Sequence, residues 1–357
     1  MKTVNILSNN NLKIIDNYKE ILNTDYIFIP IKYDDKILVK FNSHVLKGEL
    51  VYDDGIKKYS SVSGLVLKVL ALNNFKYLVI KNDFKEESKN TRARNLDNLS
   101  KDKFLSNLNN QYIYNILNSK VNNLYINGID DDPYIYNKYM IIKNNINDIA
   151  EMFKYIKDNF EINNIKLVIK NSYSNLLENY KINISYTKLP DIYPIGNNKL
   201  LTKQLIKNDN DYLIDINDII NMIYNIKKNK IMLENYITIN GNVIENPKVI
   251  KVKKYSYLNN ILTNFNFLSN DYDIILNNSL CGKIVNPKNV IIDDNIKGVI
   301  INKKSDYKPD KCIKCGLCVN VCPMKINPLK KNKNCIECGL CNYVCPSKIN
   351  LVDEVQR

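Results

Sequence analysis

The residues with the clearest chemistry lie in the last fifth of a 357-residue chain. Eight of its nine cysteines fall in two strings, CIKCGLCVNVCP and CIECGLCNYVCP, and twelve residues separate Cys322 from Cys335. Each string is C-x2-C-x2-C-x3-C-P, the spacing that holds paired cubane [4Fe-4S] clusters, the last cysteine of each run serving the other cluster. A cubane needs four thiolates converging on one small space, three from a tight loop and the fourth from the other copy. The spacing therefore predicts one cluster on Cys312, Cys315, Cys318 and Cys345 and a second on Cys335, Cys338, Cys341 and Cys322. Gly316 and Gly339 let the loop backbone close around each cluster and aim N–H groups at sulfur. Pro323 and Pro346 turn the chain away after the fourth ligand.

Zinc and disulfides are the other uses of such cysteines. Zinc needs four ligands, usually two separated C-x2-C pairs or pairs with histidine, and asks for neither a third cysteine three residues on nor the C-P ending. Disulfides belong to exported chains, and the opening MKTVNILSNNNLKII has neither an apolar core nor a small-residue cleavage site. A reducing cytoplasm is the expected setting.

The elements that must carry this tail form a globular body, with 45% hydrophobic and 25% charged residues. That length accommodates two to four domains. No run of 18 apolar residues occurs, so no transmembrane helix is expected. The net charge of +14 is spread along a chain rich in Lys, Asn, Ile and Tyr and is not gathered into a basic patch interleaved with aromatics, so no nucleic-acid partner is expected. The charge reads as a solvated lysine-rich surface, with docking of an acidic redox partner or an anionic membrane face as its functional alternative.

From Tyr26 to about Asp83 short alternating runs separated by turn signals at Asp53-Asp54-Gly55 and Gly64 predict a small β-barrel or sandwich. V-x-K-G-E near Gly48 and S-x-V-S-G ending at Gly64 look like a lipoyl-type barrel-sandwich hybrid, without a lysine at an acceptor-like hairpin tip. His44, the only histidine, reads as a surface or packing residue. A helical pattern runs through Phe104, Leu105, Leu108, Ile113 and Ile116. Then strands and helices alternate: a strand over 124–126 ending at Asn127-Gly128, a helix from Asn144 or Asn145 to Phe160, a strand over 165–169, a helix over 173–180 and a strand over 182–186. This is an α/β arrangement with a parallel sheet. Ligands of such sheets sit beyond the strand carboxyl ends, where the acidic loop Asp130-Asp131-Asp132 lies; an acidic loop is also commonly just solvated. A helix is expected over 211–230. A β unit with an Asn240-Gly241 hairpin turn follows, then a helix near 258–265, and strands over 272–304 holding Cys281, read as a buried thiol.

In order, these pieces resemble the C subunit of the Rnf ion-translocating ferredoxin:NAD oxidoreductase. The resemblance rests on Tyr59-Ser60-Ser61-Val62-Ser63-Gly64, on Asn127-Gly128 with Pro133-Tyr134, on Tyr193-Pro194-Ile195-Gly196 with Lys203-Gln204-Leu205, on the 237–247 module, and on the cysteine tail. It implies a multidomain α/β chain: a barrel-sandwich hybrid (1–88), a domain like the flavin subunit of respiratory complex I (89–230), a soluble-ligand-binding β-grasp module with connector (231–304) and a two-cluster ferredoxin-like domain (305–357). It further implies a non-catalytic electron-transfer subunit, peripheral on the cytoplasmic face of the membrane. Other Rnf-type subunits, or a partner reductase, would be its partners, with a ferredoxin or flavodoxin-like carrier as an exchange partner.

The chain also departs from the family. The family cradles FMN and NADH with a G-x-G-G-A-x-F-P loop, where only glycine lets backbone N–H groups approach phosphate, yet no glycine occurs between Thr91 and Asn127. Asp130 and Asp132 match the family's two Glu positions, and Asp131 stands in place of its Cys. The intercluster gap is shorter than the family's. The implied cofactors are two [4Fe-4S] clusters without FMN, Asp130 and Asp132 being remnants of the flavin/NADH loop. The alternatives are a soluble carrier dedicated to a cytoplasmic reductase, of the proline-reductase or cobalamin-reductase type, and a scaffold whose clusters only hold the tail folded.

Overall fold

The computed structural model describes residues 21–72, 74–179, 184–305 and 308–356. A short strand, β1 (Ile21–Leu22), precedes a β unit built from β2 (Tyr26–Ile31), β3 (His44–Val45), β4 (Leu50–Asp53), β5 (Lys57–Tyr59), β6 (Gly64–Leu72) and β7 (Phe75–Asn82). Four strands pair in the order β2-β7-β6-β3, and β4 pairs with β5. The alternation expected of half-buried strands is visible in β2, where Ile27, Ile29 and Ile31 point inward. They meet Val51, Tyr52, Val66, Leu78 and Ile80. At the β4–β5 turn Asp53 and Asp54 accept the N–H groups of Gly55 and Ile56. Gly64 is required by space, since a Cβ there would stand 1.9 Å from the Lys81 carbonyl oxygen. His44 lies at the surface, its Nε2 2.6 Å from Asp83. Despite desolvation, Ser63 and His44 hold the Asp83 carboxyl down at about 2.

The next unit contains α1 (Lys101–Ser106), α2 (Gln111–Leu117), β8 (Val121–Asn127), α3 (Asn137–Asn159), β9 (Ile162–Lys170), α4 (Ser174–Asn179), β10 (Tyr186–Leu189), α5 (Asn198–Leu205), β11 (Asp211–Asp215) and α6 (Ile216–Met222). Its sheet, β10-β9-β8-β11, is parallel throughout, as the alternation predicts. Ser100 and Asn110 cap α1 and α2. Three boundaries differ from the sequence reading. The helix expected over 211–230 is strand β11, then α6, then a π turn (Ile223–Lys227). Asp215 starts α6 with a capping box to Asp218, and β11 gains a full parallel register with β8. The helix expected from Asn144 or Asn145 begins at Asn137; Asn145 marks a kink (φ −128°, ψ 18°) where its side chain bonds back to the Ile141 carbonyl. The strand expected over 182–186 starts at Tyr186, and residues 180–183 lie outside the described residues.

A third sheet mixes both directions in the order β1-β13-β12-β16-β14-β15, with β12 (Glu234–Asn240), β13 (Lys248–Lys253), β14 (Tyr272–Leu276), β15 (Lys283–Ile284) and β16 (Gly298–Lys303). Helix α7 (Leu258–Leu262) packs Leu258, Ile261 and Leu262 onto it. Asn240-Gly241 is not a two-residue hairpin turn. The connection runs over 241–247 and buries Val243 and Ile244, a burial that a tight turn would forfeit. Lys47, between Glu86 (2.7 Å) and Glu234 (3.0 Å), ties the first unit to this sheet. The tail holds α8 (Leu317–Val321), α9 (Leu340–Val344) and α10 (Leu351–Gln356). Among the described residues no helix is long and apolar enough to cross a membrane.

Candidate metal centre

The two cysteine strings fold alike. Lys314 and Glu337 are left-handed (φ 56° and 54°), and so are Gly316 and Gly339 (φ 77° and 74°), which open α8 and α9. These turns fold each C-x2-C-x2-C loop back on itself. The N–H groups of Lys314 and Glu337 each donate to the sulfur two residues earlier, on Cys312 and Cys335, at 3.4 Å. Such donors stabilise thiolate charge. The third cysteine of each string, Cys318 or Cys341, sits buried on its short helix.

Two hollows separate these cysteines into sets. One, of about 120 Å³, is walled by Cys312, Cys315, Cys318 and Cys345 with Ile313, Leu329 and Ile349. The other, about 20 Å³, is walled by Cys322, Cys335, Cys338 and Cys341 with Ile326, Ile336 and Leu340. Among the described residues no three His, Cys, Asp or Glu side chains converge as tightly as one metal ion requires; the sulfurs face shared spaces instead. Burial pushes the Cys338 thiol up to about 11 and Cys341 to about 12. Bound iron would supply the positive charge that holds thiols so placed as thiolates. Four soft ligands around an apolar hollow suit an iron–sulfur cluster.

The body grips the second set. Tyr193 donates from its hydroxyl to the Cys338 carbonyl at 2.5 Å, Asn278 reaches the Glu337 carbonyl at 3.4 Å, and Lys199 reaches the Cys335 carbonyl at 3.3 Å. Cys281 is half-buried, donates from sulfur to the Glu337 carbonyl at 3.0 Å, and is pushed up to about 12 by burial. It lies against the second loop but outside both hollows. Tyr193 lies in the Y-P-I-G string, whose sequence signalled a motif but not this contact. Asn278 carried no signal at all.

Asp130 and Asp132 of the acidic loop after β8 are taken up by structural hydrogen bonds, while the buried Oδ1 of Asp131 has no hydrogen-bond partner among the described residues. Asn127 donates to the Gly196 carbonyl (2.9 Å) and Asn198 (2.6 Å), so the N-G and Y-P-I-G strings meet. Asp130 accepts the N–H groups of Lys138 (2.9 Å) and Tyr139 (3.4 Å) in the first turn of α3, and burial raises its carboxyl to about 6. Asp132 accepts from the Tyr134 N–H and from both the N–H and hydroxyl of Ser279. Asp131 faces Lys297 at 3.0 Å. The fully buried Lys138 lies 2.6 Å from Asp215. Against the cost of burial, Asp131 and Asp215 hold its amine above the usual range. A cavity of about 1180 Å³ opens between this loop, the third sheet and the tail, touching Asp130, Asp131, Lys138, Cys281 and Glu337.

Two family matches fall on the two strings: a 4Fe-4S binding domain at residues 306–326 and a second 4Fe-4S binding domain at residues 335–349. The tail is thus a module for two [4Fe-4S] clusters. The chain as a whole is similar to the C subunit of the ion-translocating oxidoreductase complex of Buchnera aphidicola subsp. Acyrthosiphon pisum (strain APS), with 24% identity over 372 residues, 87% of this chain and 76% of the relative. The resemblance to an Rnf C subunit therefore holds over most of the chain. Among solved structures, an NAD+-reducing [NiFe]-hydrogenase in its H2-reduced state overlaps 58% of this chain and 50% of its own (TM-score 0.43, 8% identity). Its air-oxidized state overlaps 57% and 46% (TM-score 0.44, 9% identity). This chain spans about half the length of those chains, and the likeness is loose.

Proposed function

We propose that this chain is the electron-transfer iron–sulfur subunit of an Rnf-type oxidoreductase, peripheral on the cytoplasmic face of its membrane complex. One cluster would be held by Cys312, Cys315, Cys318 and Cys345, the other by Cys335, Cys338, Cys341 and Cys322. The observation that carries this reading is the partition of the eight cysteines between two hollows in the crossed order that the spacing demands. Bound there, a [4Fe-4S] cluster takes up and releases one electron at a time. The protein's part is to hold the thiolates, to supply the N–H donors of Lys314 and Glu337, and to keep water from the second hollow with Ile326, Ile336 and Leu340.

The strand orders support a barrel-sandwich hybrid within 1–88 from β2 onward, a flavin-subunit-like domain over 89–230 and a β-grasp module over 231–304, whose sheet β1 joins by pairing with β13; the cysteine spacing supports a ferredoxin-like tail over 305–357. A flavin or dinucleotide does not fit the acidic loop. Both carboxylate oxygens of Asp132 are taken by backbone or Ser279, and those of Asp130 by the first turn of α3. The cavity beside them mixes Asp130, Asp131, Asp294, Glu337 and Asp353 with Lys138, Lys283 and Lys297 at its wall, and no glycine occurs between Thr91 and Asn127 to form a phosphate-cradling turn before β8. Hydride exchange, which needs a two-electron carrier, then belongs to another component.

Anaerobic purification followed by iron, sulfide and flavin analysis tests this. About eight iron per chain and no flavin are expected. Four iron or fewer would sink the cluster assignment, and stoichiometric FMN would sink the loss of the flavin site. Co-purification with integral membrane subunits is expected; recovery in a purely soluble complex would contradict the membrane placement.

A further inference from the structure

The two copies share the string C-I-x-C-G-L-C, yet the same side chains meet different surroundings. Ile336 and Leu340 of the second copy are 9% and 4% exposed, while Ile313 and Leu317 of the first are 66% and 46% exposed. Cys312 and Cys315 are exposed where Cys335 and Cys338 are partly covered. A Cβ on Gly339 would stand 2.6 Å from Leu280, whereas Gly316 has nothing within 4 Å. The body's 278–281 loop and Tyr193 sit against the second copy. The equivalent face of the first copy is open.

Charge follows the same division. Residues 308–334 contain seven lysines, all exposed, and one acidic residue, Asp310. Residues 335–350 contain one lysine and one glutamate. Lys314 lies in the wall of the first hollow, and Lys330 follows Leu329 of that wall. An apolar centre with a rim of one sign is the anatomy of a steered, transient interface.

We propose that this face, with Ile313 and Leu317 at its centre and Lys314 and Lys330 at its rim, is where an acidic one-electron carrier protein docks. There it exchanges one electron with the cluster of Cys312, Cys315, Cys318 and Cys345, the carrier being oxidised as the cluster is reduced, or the reverse. This rests on the electron-transfer reading above and names the partner's chemistry and its entry point. The lysines select an acidic surface and speed encounter. The exposed cysteine loop brings the carrier's redox group near the first cluster, while the second cluster lies against the body.

The test is stopped-flow electron transfer between the full, cluster-loaded chain and an acidic two-cluster ferredoxin. The second-order rate is expected to fall about tenfold or more from about 50 mM to about 500 mM salt. Lys314→Glu/Lys330→Glu is expected to lower the low-salt rate about tenfold and flatten the salt dependence. Leu317→Ser is expected to lower the rate and keep that dependence. Lys154→Glu/Lys157→Glu, on exposed positions of α3, serves as control and is expected to match the unaltered chain. Iron content and dithionite bleaching are read on every protein. Missing iron in the unaltered chain would overturn the electron-transfer reading itself. Full iron with an unaltered rate in Lys314→Glu/Lys330→Glu, or an equal loss in the control, would overturn the docking face alone. So would binding to phosphatidylglycerol vesicles that Lys314→Glu/Lys330→Glu abolishes while transfer to the carrier is unchanged.

Discussion

Asp132 grips Ser279 across 147 residues of chain, one carboxylate oxygen accepting both the Ser279 N–H at 2.7 Å and its hydroxyl at 2.9 Å. Ser279 belongs to the turn that presents Asn278 and Cys281 to the second cysteine loop. The acidic loop thus acts as a clamp between the parallel sheet and the metal centre. Asp132→Ala should destabilise the chain by about 3 kcal/mol, the scale for losing charge-assisted hydrogen bonds at a buried site. It should also speed iron loss to a chelator from the second cluster more than from the first, read by paramagnetic resonance during the challenge. Equal loss from both clusters would refute the clamp.

The crossed hollows make a distinct prediction for iron stoichiometry. Cys345→Ala and Cys312→Ala should each lower iron from about eight to about four, and the double variant should lower it no further. Cys345→Ala combined with Cys335→Ala should strip both clusters. Iron analysis separates crossed from uncrossed ligation, since uncrossed ligation predicts the opposite pairing.

The two loop glycines should respond unequally. Both hold positive φ, which alone costs a residue with a Cβ roughly 1–2 kcal/mol. Gly339→Ala adds a contact at 2.6 Å with Leu280, and Gly316→Ala meets nothing within 4 Å. Anaerobic thermal unfolding should place Gly339→Ala clearly below Gly316→Ala.

Burial of Asp130 raises its carboxyl from 3.8 to about 6, against the pull of the Lys138 N–H and of the Lys138 and Lys170 charges. Between those values the folded chain keeps a proton that the unfolded chain has lost, so stability falls as pH rises through about 4 to 6. Asp130→Asn, neutral throughout, should therefore gain on the unaltered chain by about 3 kcal/mol over that window. Unfolding of both proteins across about pH 4 to 7 checks this; a constant difference would refute it.

The metal centre was legible because cluster ligation is written in local spacing. Two strings of four cysteines at this spacing limit which sulfurs can meet before any tertiary contact forms. The parallel sheet was legible for a similar reason, since β8 and α3 carry their own periodicities. The segment over 211–230 misled because Ile214, Ile216, Ile219 and Ile220 satisfy a helical stripe while Ile214 also fills an inward strand position. Only pairing with β8 decides between them. Asn240-Gly241 likewise has turn chemistry, but the backbone of Ile301 presses on Gly241, a neighbour sixty residues away in sequence. The work of Tyr193, Asn278 and Ser279 could not be read, because their partners are carbonyls and a carboxylate supplied by distant loops.

Cys345 is the one cysteine of the second string in the wall of the first hollow, and Cys322 is the one cysteine of the first string in the wall of the second. Each copy is therefore hostage to its twin. A chain that lost one copy would keep three sulfurs around the space that remains and could not complete even one cubane. The duplicated halves cannot be shed, exchanged or expressed singly, however freely the body to which they are fastened changes its own loops.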